Sequence, residues 1–92
     1  MIRMILRADG TTETKEVGKG FQTWNEAINA GTGTIVQGRL VNVTKGKVEE
    51  IELWCDDEAL CCNEPVRNFF ASVLANQPIY GDVIVFRKGD IK

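Results

Sequence analysis

The sequence predicts an α+β fold, a single twisted, mainly antiparallel sheet of about five strands with two amphipathic helices packed on one face. Three observations lead to this class: β-rich segments with period-two alternation, two segments with helical spacing of apolar residues, and turn residues at most junctions between them. Two helices that each carry an apolar stripe need a sheet face to bury it against, and a common face is the simplest arrangement. The chain, residues 1–92, is predicted to form a single domain.

The amino-terminal segment reads as a hairpin. Residues 1–8 alternate between apolar and more polar side chains, which is the period of a strand. The Asp9-Gly10 pair that follows is a strong hairpin turn signal. Residues 11–17 return as a polar strand, and this polarity predicts a sheet edge or a solvated face.

Residues 21–30 are predicted to form the first helix, and Gly31 stands where a helix commonly ends in a left-handed residue. Its apolar side is formed by Phe21, Trp24, Ala27 and Ile28, which fall at helical spacing. We expect Trp24 to anchor this helix to the core.

A second hairpin is predicted from residues 34–43 and 48–55, joined by a polar turn that contains Gly46. In its second strand Ile51, Leu53 and Cys55 are predicted to point inward, while Glu50, Glu52 and Trp54 point outward. A polar turn at residues 56–58 is predicted to lead into a further short strand at residues 59–62.

The second helix is predicted to begin near Pro65, capped by Asn63 or Glu64, and to end near Asn76. Its predicted buried stripe consists of Val66, Phe69, Phe70, Val73 and Leu74. Residues 79–86 follow as the clearest strand, with a continuous apolar run that predicts burial on both faces near the sheet centre. Residues 87–92 form a polar tail.

Short motifs in the carboxy-terminal half form a pattern of their own. They are Asn63, Glu64, Pro65, Asn68, Ala71, Gly81 and Asp82, preceded by a glycine-led strand entry at residues 31–35. This pattern resembles a family of small proteins from bacteriophages and bacteria that is known only as a domain of unknown function. The resemblance implies no enzyme activity, and it implies a phage or prophage setting.

Composition excludes several function classes. The chain has no histidine, so histidine-based triads and the commonest metal ligand are excluded. It also lacks a phosphate-binding glycine loop, and we expect neither a cofactor nor an enzyme activity. No apolar run is long enough to span a membrane. The odd cysteine count and the absence of a signal-like start predict a cytoplasmic protein, in the host cell if the chain is phage-encoded.

Charge is distributed unevenly along the chain. Residues 48–66 hold 7 acids and no bases, while the rest holds 6 acids and 11 bases, so the net charge of −2 is −7 plus +5. Trp54 lies inside the acidic segment, and an exposed Trp can anchor a partner surface. The predicted partner-binding residues are Glu49, Glu50, Glu52, Trp54, Asp56, Asp57 and Glu58. The competing interpretation is a solvated hairpin whose Trp covers a helix.

The leading hypothesis is a small non-enzymatic interaction protein, phage- or prophage-derived, that binds a host or viral protein. Its sharpest version is an inhibitor of a nucleic-acid-handling defence system, with the acidic segment occupying a basic surface. The alternative is a nucleic-acid- or nucleotide-binding module that uses the scattered bases, although the sequence pI of about 5.1 argues against direct nucleic-acid binding. A homo-oligomer paired through the strand at residues 11–17 is left open.

Overall fold

The computed structural model describes residues 2–28, 30, 32–42, 44–58 and 66–88. The elements in chain order are β1 (Ile2–Leu6), β2 (Thr12–Glu16), α1 (Phe21–Ala27), β3 (Gly33–Asn42), β4 (Lys47–Asp56), α2 (Phe69–Ala75) and β5 (Val83–Arg87). The five strands form one antiparallel sheet in the order β2-β1-β5-β4-β3. The predicted α+β class and antiparallel sheet are therefore confirmed.

Some predicted features fall outside the described residues. They are the left-handed conformation at Gly31, the short strand at residues 59–62, the cap residues Asn63 and Glu64 and the tail beyond Lys88. Both helices are shorter than predicted, because α1 ends at Ala27 with Ile28 as its C-cap and α2 begins at Phe69 rather than near Pro65.

Both hairpins form where turn residues predict them. In the first, the Arg7 amide donates to the Thr11 carbonyl at 2.9 Å, and Gly10 takes the positive φ of 93° that a residue without a Cβ adopts easily. The Asp9 carboxylate accepts from the Thr11 amide at 2.9 Å and closes the turn. In the second, β3 and β4 pair from Gly33 opposite Asp56 to Asn42 opposite Lys47.

The two helices lie on opposite faces of the sheet, so the prediction of a common face is wrong. The α1 face carries a cluster that joins the helix residues Trp24, Ala27 and Ile28 to Ile5, Val17, Trp54, Ile84 and Phe86. The α2 face carries a second cluster that joins Ala71 to Leu6, Ile51, Leu53, Cys55, Ile79 and Val83. Strand residues of the two clusters alternate along each strand and therefore point to opposite sides.

The physical reason is visible in pairs of consecutive apolar residues. Val83 and Ile84 of β5 are both fully buried, as are Ile5 and Leu6 of β1 to within a few per cent. Neighbouring strand residues point to opposite faces, so each pair needs cover on both sides of the sheet. The run in β5 predicted this burial correctly, but the consequence for helix placement follows only when the three central strands are considered together.

Helix α2 exposes the side that was predicted to be buried. It begins at Phe69 with Asn68 as its cap and ends at Asn76, which has the left-handed φ of 54°. Four members of the predicted buried stripe, Val66, Phe69, Phe70 and Val73, are 56% to 72% exposed. Its buried side instead carries Ala71 and Ser72, and the cap residue Asn68 is buried as well.

The two edges of the sheet differ. Strand β2 has five residues, all exposed, which confirms the predicted polar edge. Strand β3 is the other edge and has ten residues. Among the described residues, neither helix is long and apolar enough to cross a membrane.

Candidate protein-interaction surfaces

The seven residues of the predicted acidic site do not converge. Glu50, Glu52, Trp54 and Asp56 have their side chains on the α1 face, whereas Glu49 alternates onto the α2 face. Glu49 and Asp56 lie ~23 Å apart along the extended strand. The last two members, Asp57 and Glu58, are exposed in the turn that follows β4.

Trp54 lies in the core and is only 5% exposed, so the expectation of an exposed Trp anchor is wrong. It does point away from Ile51 and Leu53 as predicted, but α1 covers the face to which it points. Its ring meets the ring of Trp24 edge-on at 5.3 Å, and its indole Nε1 donates to the Asn25 side chain at 2.9 Å. The side chain is therefore a structural link between β4 and α1.

Neighbouring strands supply bases to the acidic segment. The Lys88 ammonium donates to Glu50 at 2.7 Å, and this hydrogen bond, with the charge of Lys88, lowers the pKa of the Glu50 carboxyl. Arg39 of β3 lies opposite Glu50 in the register. The segment has no base within its own sequence, yet Arg39 of β3 and Lys88, which follows β5, lie beside it, so the surface around Glu50 carries mixed charge. The predicted role of the acids in partner binding is left as a prediction.

Two further groups of the predicted charge pattern have local structural roles. The Asp56 carboxylate accepts from the Glu58 amide at 2.9 Å and shapes the turn after β4. Arg7 donates to Asp82 at 2.9 Å and forms an ion pair with Glu13. Asp82 also accepts from the Ala8 amide at 2.8 Å, so it ties the end of β1 to the start of β5.

An apolar surface that the sequence interpretation placed in the core is the most distinctive feature of the exterior. We call it the α2 outer surface, and it consists of Val66, Phe69, Phe70 and Val73. The Arg67 guanidinium lies 5.5 Å from the centre of the Phe69 ring, within cation–π range. A cleft of about 440 Å³ opens beside it between Arg67, Phe69, Val73 and the Gln77-Pro78 turn.

The α2 outer surface is exposed because polar residues hold the other side of the helix against the sheet. Asn68 is 1% exposed, and its Nδ2 donates to the carbonyls of Leu6 at 2.8 Å and Gly81 at 2.9 Å. Its Oδ1 accepts from the Ala71 amide at 3.1 Å, as a helix cap does. The Ser72 hydroxyl donates to the Asn68 carbonyl at 2.7 Å and accepts from the Ile79 amide at 2.9 Å.

The signal for this arrangement was present in the sequence. Asn68 is a favoured cap residue, and Ala71, Ser72 and Ala75 are the small residues that a close helix–sheet contact requires. The contact is indeed close, because a Cβ added to Gly38 of β3 would lie 3.0 Å from the Leu74 carbonyl oxygen. Asn68, Ala71, Gly81 and Asp82 also carried the family resemblance. In the structure Asn68 donates to the carbonyls of Gly81 and Leu6, and Asp82 accepts from the Ala8 amide, so these residues link the end of β1 to the starts of α2 and β5.

Strand β3 forms a second apolar surface that the sequence interpretation did not identify. Ile35, Leu40 and Val41 are 41% to 62% exposed along this edge. A groove of about 870 Å³ runs between Gln37, Gly38 and Arg39 of the strand and the last turn of α2. The sequence interpretation assigned an open edge only to β2, from its polarity, and did not place β3 in the sheet.

Comparisons of the chain with protein-family models, curated proteins and solved structures return no match. The resemblance to a phage and bacterial family is therefore left as a prediction. Within the described residues, no three Cys, Asp or Glu side chains form a group that suits a metal ion. Cys55 is buried on the α2 face, and its burial, with the nearby charge of Asp57, raises the pKa of the thiol to about 12.

Proposed function

We propose that this chain is a small protein-binding module and that the α2 outer surface is its contact surface. One observation carries the proposal: four large apolar side chains on and beside α2 are 56% to 72% exposed, while the cap residue Asn68 and the helix residue Ser72 are buried. A helix whose large apolar residues served only the fold would direct them to the sheet.

The composition of this surface suits a binding site. Single exposed apolar residues are ordinary, but a contiguous group with a polar rim is typical of protein contact sites. Two of its four members are phenylalanines, and aromatic residues are enriched at protein interfaces. Arg67, stacked on Phe69, supplies a cation at the rim, which favours a partner that offers an apolar groove bordered by a carboxylate.

The proposal keeps the interaction role predicted from the sequence and moves the contact surface from β4 to α2. The acidic version of that role, the phage setting and the inhibition of a defence system are still predictions, and so is the alternative of nucleic-acid binding. The mixed charge around Glu50 favours the α2 version over the acidic one.

Affinity capture from the native host, quantified by mass spectrometry, tests the proposal. The Phe69→Ser/Val73→Ser variant removes two members of the α2 outer surface. The matched control, Ile2→Ser/Met4→Ser, removes two apolar side chains of comparable exposure from β1. We expect the partner to be lost from the first variant at least ~10-fold and kept by the control.

A partner that both variants capture equally would overturn the α2 assignment. A third variant with charges reversed at the exposed Glu49, Asp57 and Glu58, shown to be folded by circular dichroism, separates the acidic version, because loss of capture there alone would return the contact surface to the acidic segment. A salt-sensitive gel shift with plain duplex or single-stranded DNA would instead favour the nucleic-acid alternative.

A further inference from the structure

We propose that two copies of this chain pair antiparallel through β3, with Gly38 of both strands at the two-fold axis, to form one continuous ten-stranded sheet. The occupant of the β3 edge is thus a second copy. This inference is independent of the proposed function, since it uses the β3 strand edge rather than the α2 outer surface.

The contrast between the two sheet edges is the starting point. Strand β2 is short, and its exposed positions carry Glu13, Lys15 and Glu16, which is how natural sheets discourage further pairing. Strand β3 is twice as long and carries a single charge, Arg39. Among the described strands it pairs only with β4, so its outer row of backbone groups faces away from the sheet. A long apolar edge of this kind is a template for pairing with another strand.

The β3 sequence is complementary to itself in one register. With Gly38 opposite Gly38 of the second copy, Ile35 lies opposite Val41 and Val36 opposite Leu40. Both pairs place apolar side chains on the same face, because residues at even separation share a face and a two-fold axis perpendicular to the sheet preserves it. The three exposed apolar residues of the edge, Ile35, Leu40 and Val41, all gain an apolar partner.

Charge selects the same register. Gln37 lies opposite Arg39 of the second copy, and Gln37 already donates to Glu52 at 3.4 Å within its own chain. The row across the joint then reads Glu52, Gln37, Arg39 and Glu50, so that the base has an acid on one side and an amide on the other. Moving the axis to Arg39 would place two guanidinium groups directly opposite each other, which is destabilising. Moving it to Gln37 would place Ile35 opposite Arg39.

Helix α2 extends the contact beyond the strands. The Leu74 carbonyl is the nearest group above Gly38, so the two α2 helices would flank the axis on the same face. A stable dimer needs ~1,200 Å² or more of buried surface, and a strand pair supplemented by a helix pair reaches that range more readily than a strand pair alone.

Sedimentation equilibrium of the purified chain tests whether the dimer forms. Two matched variants test the register of its strands. The wild-type chain is expected to be monomeric when dilute and to approach twice its mass of 10.2 kDa as its concentration is raised to roughly 1 mM. Ile35→Lys and Val41→Glu each place a charge opposite an apolar residue, and each is expected to weaken self-association at least ~10-fold. Mixing the two variants brings the new Lys and the new Glu opposite each other, so a mixed dimer is expected to recover.

Both substitutions are at exposed positions, so unchanged far-UV circular dichroism and an unchanged urea midpoint, measured where the chains are monomeric, confirm folding. A wild-type chain that stays monomeric throughout this range overturns the proposal. So does a dimer that survives both single variants, and a mixture that shows no more dimer than its components overturns the register.

Discussion

Helices α1 and α2 have the same length of seven residues and opposite relations to their sequence patterns. Helix α1 buries Trp24 and Ala27, as its apolar spacing predicts. Helix α2 buries Ala71 and Ser72 and exposes two phenylalanines and a valine. Each helix lies on its own face of the same sheet, so the difference comes from the space between helix and sheet.

The close approach of α2 to β3 explains the inversion. With the Leu74 carbonyl 3.0 Å from the position of a Cβ on Gly38, large side chains have no room between helix and sheet. Small residues and a hydrogen-bonded Asn fit there. Helix α1 instead packs through the large rings of Trp24, Trp54 and Phe86, with ring centres 4.9 Å to 5.3 Å apart. Apolar periodicity therefore predicts the buried side of a helix only where the packing distance leaves room for large side chains.

Trp24→Ala is the substitution with the largest expected effect. It removes the centre of the α1 cluster and the hydrogen bond from the indole Nε1 to the Gly18 carbonyl at 2.9 Å. We expect the free energy of unfolding to fall by ~3–5 kcal/mol, measured by urea denaturation. Gln22→Ala on the exposed side of the same helix is the control, and its urea midpoint should not move. Equal effects from the two variants would contradict the burial of α1.

Asn68→Ala tests whether Asn68 attaches α2 to the sheet, as Trp24 attaches α1. The variant leaves the carbonyls of Leu6 and Gly81 and the amide of Ala71 without their hydrogen-bond partner. We expect a loss of ~2–4 kcal/mol in unfolding free energy. Gln77→Ala, an exposed amide beyond the same helix, is the control and should leave stability unchanged.

Asn68→Asp sharpens that result. The carboxylate keeps the oxygen that caps the helix but directs negative charge at two carbonyl oxygens. We expect this variant to be at least as unstable as Asn68→Ala at neutral pH and to recover partly as the pH falls and the carboxyl is protonated. A fully stable Asn68→Asp variant would show that Nδ2 contributes nothing to the fold.

The pKa of Cys55 depends on how completely water is excluded from the α2 face of the sheet. Its thiol has a pKa raised from 9.0 to about 12, so the folded chain holds the proton that the unfolded chain releases above pH 9. The stability that this thiol contributes is therefore complete below pH 9 and decreases between pH 9 and pH 12. Compared with Cys55→Ala, the wild-type chain should lose roughly 1 kcal/mol more between pH 8 and pH 10. Parallel pH profiles of the two chains would mean that water reaches the thiol.

The sheet was predictable because its signals are local. Alternation in β1 and β4, the Asp9-Gly10 turn and the apolar run of β5 depend on neighbouring residues, and each appears in the structure where the sequence places it. Helix placement depends on pairs such as Val83 and Ile84 that demand cover on both faces. The sequence indicates this requirement for β5, but the face that each helix covers follows only once the strand order is known.

The candidate sites were harder to predict because exposure and charge are properties of the assembled sheet. Trp54 alternates outward from Ile51 and Leu53, but only the fold shows that α1 lies there. Glu50 belongs to a segment without bases, but Lys88 reaches it from 38 positions away in sequence. Phe69 and Val73 look like core residues until the structure shows that the helix begins at Phe69, after its cap Asn68, and turns its small residues inward.

The stability of the Phe69→Ser/Val73→Ser variant tests most directly the claim that the α2 outer surface is no part of the core. Both side chains are about 70% exposed, so their loss should change the free energy of unfolding by no more than ~0.5 kcal/mol. Urea denaturation of the monomeric chain, with an unchanged denaturant slope, is the measurement. A loss of ~3 kcal/mol or more, comparable with that of Trp24→Ala, would show that this surface belongs to the core and would contradict the account.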